Sequence, residues 1–360
     1  MRVARIAALV TAFAACSSPA GSRGALAERV DAQSALPSGV TSCSGDLVGS
    51  VEVLDPRLLR HVDADARFER IATGFSWSEG PVWDREAACL LFSDVPNNVV
   101  YRWSERGGIA VALRPSGYAS GTQPGREPGS NGLAIDAEGR LVLCEHGDRR
   151  LGRVERDGHH VTLVDRFEGK RFQSPNDLAI HSSGAVFFTD PPYGLSKGMD
   201  DPARELPHCG VYVATSRDAA TFETRLLDSS LSRPNGIALS PDERTLYVAV
   251  SDGEWPRIVA YDLKTDLTVG NARTFFDARP LLRDGNQGST DGLKVARDGT
   301  IFATGPGGVL VIAVDGTHLG TLRTGEATAN CAFGDDGSVL YVTADAHLMR
   351  IRTKTTGAGF

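Results

Sequence analysis

From about residue 65 to the C-terminus the chain is built of short apolar runs, each closed by a cluster of Asp, Asn, Ser or Gly. Leu90–Asp94 (LLFSD), Val186–Asp190 (VFFTD) and Leu246–Val250 (LYVAV) are examples. Runs of this length, with helical periodicity nearly absent, read as buried strands joined by tight turns. The runs also repeat. A unit of about 25 residues recurs, with a turn signal, an apolar strand, a tight turn, a second apolar strand, a loop and a third strand. The copies begin at SEGPVWD (78–84), SNGLAID (130–136), SPNDLAI (174–180), RPNGIAL (233–239), TDGLKVA (290–296) and ANCAFGD (329–335).

One such unit cannot bury both of its faces, so the units must stack, and six of them predict an all-β, six-bladed β-propeller of four-stranded antiparallel blades. The sixth copy has only three obvious strands before the chain ends. The segment Arg67–Gly74 (RFERIATG), ahead of the first copy, has strand character and is expected to supply the missing outer strand, closing the ring with an N-terminal strand. The propeller domain is therefore drawn over residues 65–355.

The N-terminus reads differently. Arg2 and Arg5 precede an apolar run, Ile6–Ala15, too short to span a membrane. Residues 1–16 are expected to be an export signal, making the protein exported, periplasmic or lipid-anchored to a bacterial membrane. Phe13-Ala14-Ala15-Cys16 resembles a lipoprotein cleavage box, with Phe13 where leucine is usual. Both a lipid anchor on Cys16 and a simple cut at an Ala-x-Ala-like site stay open. Residues 17–64, rich in Ser, Ala, Gly and Asp, read as a tether or loosely packed extension.

Charge removes one class of partner. A net charge of −7 and a pI near 5.7 argue against a nucleic-acid binder. The basic cluster Arg149, Arg150 and Arg153 is expected on a solvated face. The cysteines show no CxxC pair and no zinc spacing, and Cys89 and Cys144 fall in apolar strands where buried thiols are expected.

The candidate chemistry comes from repeat phase. Each Asn-Gly or Asp-Gly pair, taken singly, is explained by turn chemistry. In a propeller, however, the first strand of every blade lines the axis and all six start at the same mouth. Glu79, Asn131, Asn176, Asn235, Asp291 and Asn330 therefore converge there. Carboxylates and amide oxygens without His or Cys form a hard-oxygen set, suited to one divalent cation, calcium before magnesium, manganese or zinc. The second strands return to the same mouth, so its wall is expected to include Glu145, His146, Asp190, Tyr193 and Trp255.

These segments, with CEHGDRRL, FTDPPYG and RPNGIALSPDERTLYVA, resemble the gluconolactonase/senescence-marker-protein (regucalcin-like) family over roughly residues 65–352. The resemblance implies a six-bladed propeller with one catalytic divalent cation held by Glu79, Asn176, Asn235 and Asp291. It also implies a metal-dependent hydrolase that opens a lactone ring, of gluconolactone type. Asn131, His146, Glu145, Asp190 and Tyr193 are the candidate substrate contacts. Glu79 and Asp291 are the candidate catalytic residues, with Asp291, or Asp177 behind it, taking a proton from water. Where some members carry an arginine that contacts the sugar acid, this chain has Ser174, which leaves the aldonolactone itself open. Two alternatives stand beside this reading: an organophosphate hydrolase on the same site, and a non-catalytic propeller rigidified by calcium.

Overall fold

The computed structural model describes residues 35–119, 125–218, 221–282 and 286–360. The export signal expected over 1–16, with Cys16, lies outside the described residues. Six antiparallel sheets form blades whose inner strands are Ser78–Asp84, Ser130–Ile135, Leu178–Ile180, Pro234–Leu239, Leu293–Val295 and Thr328–Gly334. They are called blades 1 to 6 in that order. Blade 6 is completed by Phe68–Thr73, which pairs antiparallel with His347–Arg352. The ring thus closes with the N-terminal strand the repeat required.

Why the runs are continuously apolar follows from the packing. Among the described residues the core is six clusters, one at each blade–blade interface. Alternate residues of one strand serve different clusters. Leu90 and Phe92 pack toward blade 6, whereas Cys89 and Leu91 pack toward blade 2. Both faces of the second strands, such as Cys89–Asp94, Val186–Asp190 and Val339–Ala344, are buried, which erases the polar alternation of a one-sided sheet. Cys43, Cys89, Cys144, Cys209 and Cys331 are free thiols, and all but Cys43 are buried.

Two regions differ from expectation. The stretch drawn as a tether is structured from Thr41 onward. Thr41–Val48 adds a fifth strand outside Phe68–Thr73, and Ser50–Val53 adds a fifth strand to blade 5. The following 3-10 turn, Pro56–Arg60, buries Leu58, which with Val62 joins Phe302, Val309 and Phe333 in the cluster between blades 5 and 6. An outermost strand needs little apolar surface, so TSCSGDLV carries no hydrophobic period to announce it. The second difference is the basic cluster. Arg149 and Arg153 are buried, at 7% and 8% exposure, rather than solvated. Arg149 donates to the carbonyls of Phe172 and Ala203 and so holds the long loop of blade 3 (191–209) to its neighbours.

Candidate functional site

The mouth is shaped by irregularities at the head of each inner strand. The pairing register breaks between Glu79 and Val82, Ser130 and Leu133, Pro234 and Ile237, and Thr328 and Asn330. In blades 3 and 5 the ladder begins only at Leu178 and Leu293, just after Asn176-Asp177 and Asp291-Gly292. Such bulges re-aim a side chain, here toward the axis. The glycine after the polar residue is therefore not a hairpin residue, as turn chemistry suggests. A Cβ on Gly292 would lie 2.0 Å from Asn330 Cγ, and one on Gly236 2.2 Å from the Asp291 carbonyl oxygen. Only glycine lets neighbouring inner strands approach this closely. Hydroxyls ending the second strands then pin the next blade. Thr189 Oγ1 donates to the Asn235 carbonyl at 2.6 Å, Ser251 Oγ to Thr290 at 2.7 Å and Thr304 Oγ1 to Ala329 at 2.8 Å.

Glu79, Asn131, Asn176 and Asn235 are buried at 3%, 4%, 2% and 5% exposure, with Asp291 partly exposed beside them. Buried Oδ1 atoms of Asn131, Asn176 and Asp291 have no hydrogen-bond partner among the described residues. Asn235 commits its Nδ2 to Ser251 Oγ at 2.9 Å, leaving its Oδ1 for the mouth. Asn330 is different. Its Oδ1 accepts from the Cys331 amide at 2.9 Å, and its Nδ2 reaches Glu79 Oε2 and Asp177 Oδ2, each at 3.4 Å. It separates two carboxylates and has no oxygen to spare.

Burial, with the Asp177 charge adding to it, pushes the Glu79 carboxyl up to about 8. Burial and the charges of Glu79, Asp177 and Glu127 hold Asp291 well above the carboxylate range. Orphaned buried oxygens and crowded carboxylates each cost free energy, and one cation would relieve both. Among the described residues no cluster of three or more His, Cys, Asp or Glu could hold a metal. The fit here is to an oxygen-seeking ion, because half of the donors would be amides. Glu79, Asn176, Asn235 and Asp291 fit such an ion.

The expected wall divides. Tyr193 belongs to the site: burial, then the nearby Asp291 charge, push its hydroxyl up to about 12, while a hydrogen bond with Ser251 pulls the other way. Asn131 belongs there too. Glu145 does not, because its Oε2 accepts from Arg150 Nε at 2.6 Å inside blade 2. Asp190 is fully buried and caps a loop, accepting from the Gln173 and Ser174 amides, both at 2.8 Å. Ser174 shows why no arginine occurs at its position. Its hydroxyl donates to Pro191 O at 2.6 Å and accepts from Gly194 N at 2.9 Å, tying down the loop that carries Tyr193. Trp255 stands farther out on the rim, 41% exposed, with the Arg257 guanidinium 4.0 Å above its ring.

His146 is buried to 1% exposure, with neither ring nitrogen hydrogen-bonded among the described residues. Its Nδ1 lies 3.7 Å from Oε2 of Glu127, a residue that repeat phase could not flag because it sits in the Gly- and Pro-rich loop between blades 1 and 2.

Residues 77–346 match the sequence profile of the SMP-30/Gluconolactonase/LRE-like region. The chain is 38% identical over 321 residues to a gluconolactonase of Zymomonas mobilis subsp. mobilis, covering 87% of this chain and 89% of that one. The solved structure of a Xanthomonas campestris gluconolactonase superposes with a TM-score of 0.73 at 31% identity, over 87% of this chain and 99% of the other. A regucalcin from Agrobacterium tumefaciens shares the fold, with a TM-score of 0.59 at 21% identity over 78% of this chain and 92% of the other.

Proposed function

The chain belongs to the SMP-30/Gluconolactonase/LRE-like family, and from that premise we propose that it hydrolyses a lactone, of sugar-lactone type, at a divalent-cation centre in the propeller mouth. The observation that carries the reading is the set of buried, unpartnered oxygens of Asn131, Asn176 and Asp291 beside the crowded Glu79 carboxyl. Glu79, Asn176, Asn235 and Asp291 would hold the ion. The donor chemistry favours calcium, which accepts several oxygens in flexible geometry, over magnesium, which demands a stricter octahedron. Bound there, the cation supplies Lewis-acid polarisation of a carbonyl and offsets the negative charge that builds on its oxygen.

The remaining roles belong to the chain. Asn131 and the Tyr193 hydroxyl orient the lactone against the mouth. Asn330 keeps Glu79 and Asp177 apart without spending its own oxygen on the ion. The loop tied down by Ser174 holds Tyr193 in place. The hydroxyl clasps to the backbones of blades 4 to 6 fix the separation of the donors, so little reorganisation is needed when charge develops.

The test is a panel of sugar lactones and simple lactones, with a phosphotriester as comparison, assayed by proton release before and after metal removal. The proposal expects lactone turnover that is lost on chelation and restored by calcium. Turnover of the phosphotriester alone would replace the substrate class. A calcium-dependent rise in stability with no turnover of any lactone would replace the enzyme by a binding propeller.

A further inference from the structure

Opening a lactone needs a group that takes a proton from water and gives one to the departing ring oxygen. The three acids at the axis are poorly suited. Glu79 and Asp291 are needed to hold the cation, which makes them weak bases. Asp177 lies beneath them with both oxygens engaged, Oδ1 by the Leu178 amide at 2.9 Å and Oδ2 by Asn330 at 3.4 Å.

Glu127 is placed differently. The backbone just after it is clamped between blades 1 and 2: Gly129 N donates to Val95 O at 2.9 Å, His146 N to Gly129 O at 3.1 Å and Gly147 N to Pro128 O at 3.2 Å. These are the blades that carry Glu79 and Asn131. The Glu127 carboxyl is about one-third exposed, so it can exchange protons with solvent, and it faces the fully buried imidazole of His146 at 3.7 Å. Neither ring nitrogen has a hydrogen-bond partner at ordinary distance among the described residues, and the Glu127 backbone carbonyl is the other acceptor that acts on the ring. A Cβ on Gly194 would lie 2.7 Å from His146 Cβ, so the loop carrying Tyr193 rests directly on this ring. The charge of Glu127 is felt at both Glu79 in blade 1 and Asp291 in blade 5, so the carboxyl lies within electrostatic reach of both acids of the mouth.

We propose that Glu127 is the proton-transferring catalytic residue of the lactonase reaction and that His146 is its positioning residue. This rests on the lactone-hydrolase reading above and adds to it the identity of the base. Water adds through its oxygen to the carbonyl carbon, and its proton passes to the Glu127 carboxylate. The bond from that carbon to the ring oxygen then breaks. Glu127 returns the proton to the ring oxygen, which leaves as the hydroxyl of the opened hydroxy acid. The new carboxylic acid ionises into solvent. His146 donates from Nδ1 to the carboxylate once the 3.7 Å gap closes around substrate, and catalytic hydrogen bonds are often this long before substrate binds.

The electrostatics agree. Burial raises the Glu127 carboxyl to about 7, suited to both halves of the transfer near neutral pH. Burial lowers His146 to about 3, so its ring is a neutral donor. The charged groups facing Glu127 are Arg126 on its own loop and, across the mouth, Glu79 and Asp291.

The test uses E127Q and H146L in the full-length protein, with three readings: lactone turnover, its pH profile, and calcium affinity by calorimetry. E127Q should lower kcat by about 10²- to 10⁴-fold, with calcium affinity reduced by less than tenfold and the acidic limb of the kcat/KM profile gone. H146L should keep that limb but move it to higher pH, because the carboxylate loses a donor that favours its charged form. E127Q with wild-type kcat overturns the assignment. So does E127Q with calcium affinity reduced tenfold, which would make Glu127 a ligand. A wild-type protein that turns over no lactone defeats the function proposed above as well, whereas an active wild type matched by E127Q defeats this role alone.

Discussion

Stripping the cation should make this protein less stable as pH rises, and calcium should remove that dependence. The reason lies in Glu79. Folded, its carboxyl keeps a proton up to about pH 8; unfolded, it titrates near its ordinary value of 4.5. Between those values the native state binds more protons than the unfolded chain, so raising the pH favours unfolding. Each pH unit is worth about 1.4 kcal/mol, so the whole window costs about 5 kcal/mol. Asp291 shifts in the same direction and shares the same repulsion, so the two are not summed. Buried histidines, His146 foremost, act with the opposite sign below 6.5, which leaves pH 6.5 to 8 as the interval where raised carboxyls dominate; Glu127 and Asp190, both pushed up to about 7, add to the slope in its lower part. There Glu79 alone predicts a loss of about 2 kcal/mol, roughly 4 °C in Tm for a domain this size. Calcium at a thousandfold excess over its Kd adds about 4 kcal/mol, enough to cancel the slope. The assay is thermal unfolding of metal-stripped protein across this interval, with and without calcium, beside Glu79→Gln. The wild type should show the full slope only when stripped, and Glu79→Gln should show a shallower slope, left by Asp291, and no calcium response. A stripped wild type whose Tm is flat or rises from pH 6.5 to 8 would refute the reasoning.

Three further outcomes are expected. Gly292→Ala forces a Cβ to within 2.0 Å of Asn330 Cγ; it should destabilise the protein by about 1–3 kcal/mol and weaken calcium binding at least tenfold by moving Asp291. Unchanged calorimetry would show that the close approach is unimportant. Removing residues 35–64 exposes the contacts of fully buried Leu58 and Val62 and strips an outer strand from blades 5 and 6. Denaturant unfolding should register a loss of at least about 3 kcal/mol, and an unaltered midpoint would mean these strands only decorate the ring. For residues 1–16, read as an export signal, intact-mass analysis of the envelope fraction should find a chain that starts at or just after Cys16; a chain that still begins at Met1 would contradict export.

The ring was legible in the sequence because six apolar-strand pairs at one phase leave few other ways to bury both faces. The direction of Glu79, Asn176, Asn235 and Asp291 was legible for the same reason: repeat phase fixes which end of the inner strand a residue occupies. Side-chain heading at the end of the second strand was not. Asp94 and Asp190 share a phase, and both turn back to cap loop amides instead of facing the mouth. Glu145 at the equivalent position pairs with Arg150. Distinguishing those fates requires knowing which loop lies overhead, and this is a tertiary fact. The Asn-Gly pairs misled in another way, since a bulge that admits a neighbouring strand and a hairpin turn select the same dipeptide. Glu127 had no repeat phase at all, and Thr41–Val53 had too little apolar character to stand out as strand.

The most direct test of the central claim is a calcium titration of metal-stripped protein in which bound ion and lactone turnover are followed in the same samples. A single catalytic centre held by Glu79, Asn176, Asn235 and Asp291 predicts that turnover rises in proportion to occupancy and saturates at one ion per chain. Full turnover before any ion binds, or full occupancy with no turnover, would contradict it.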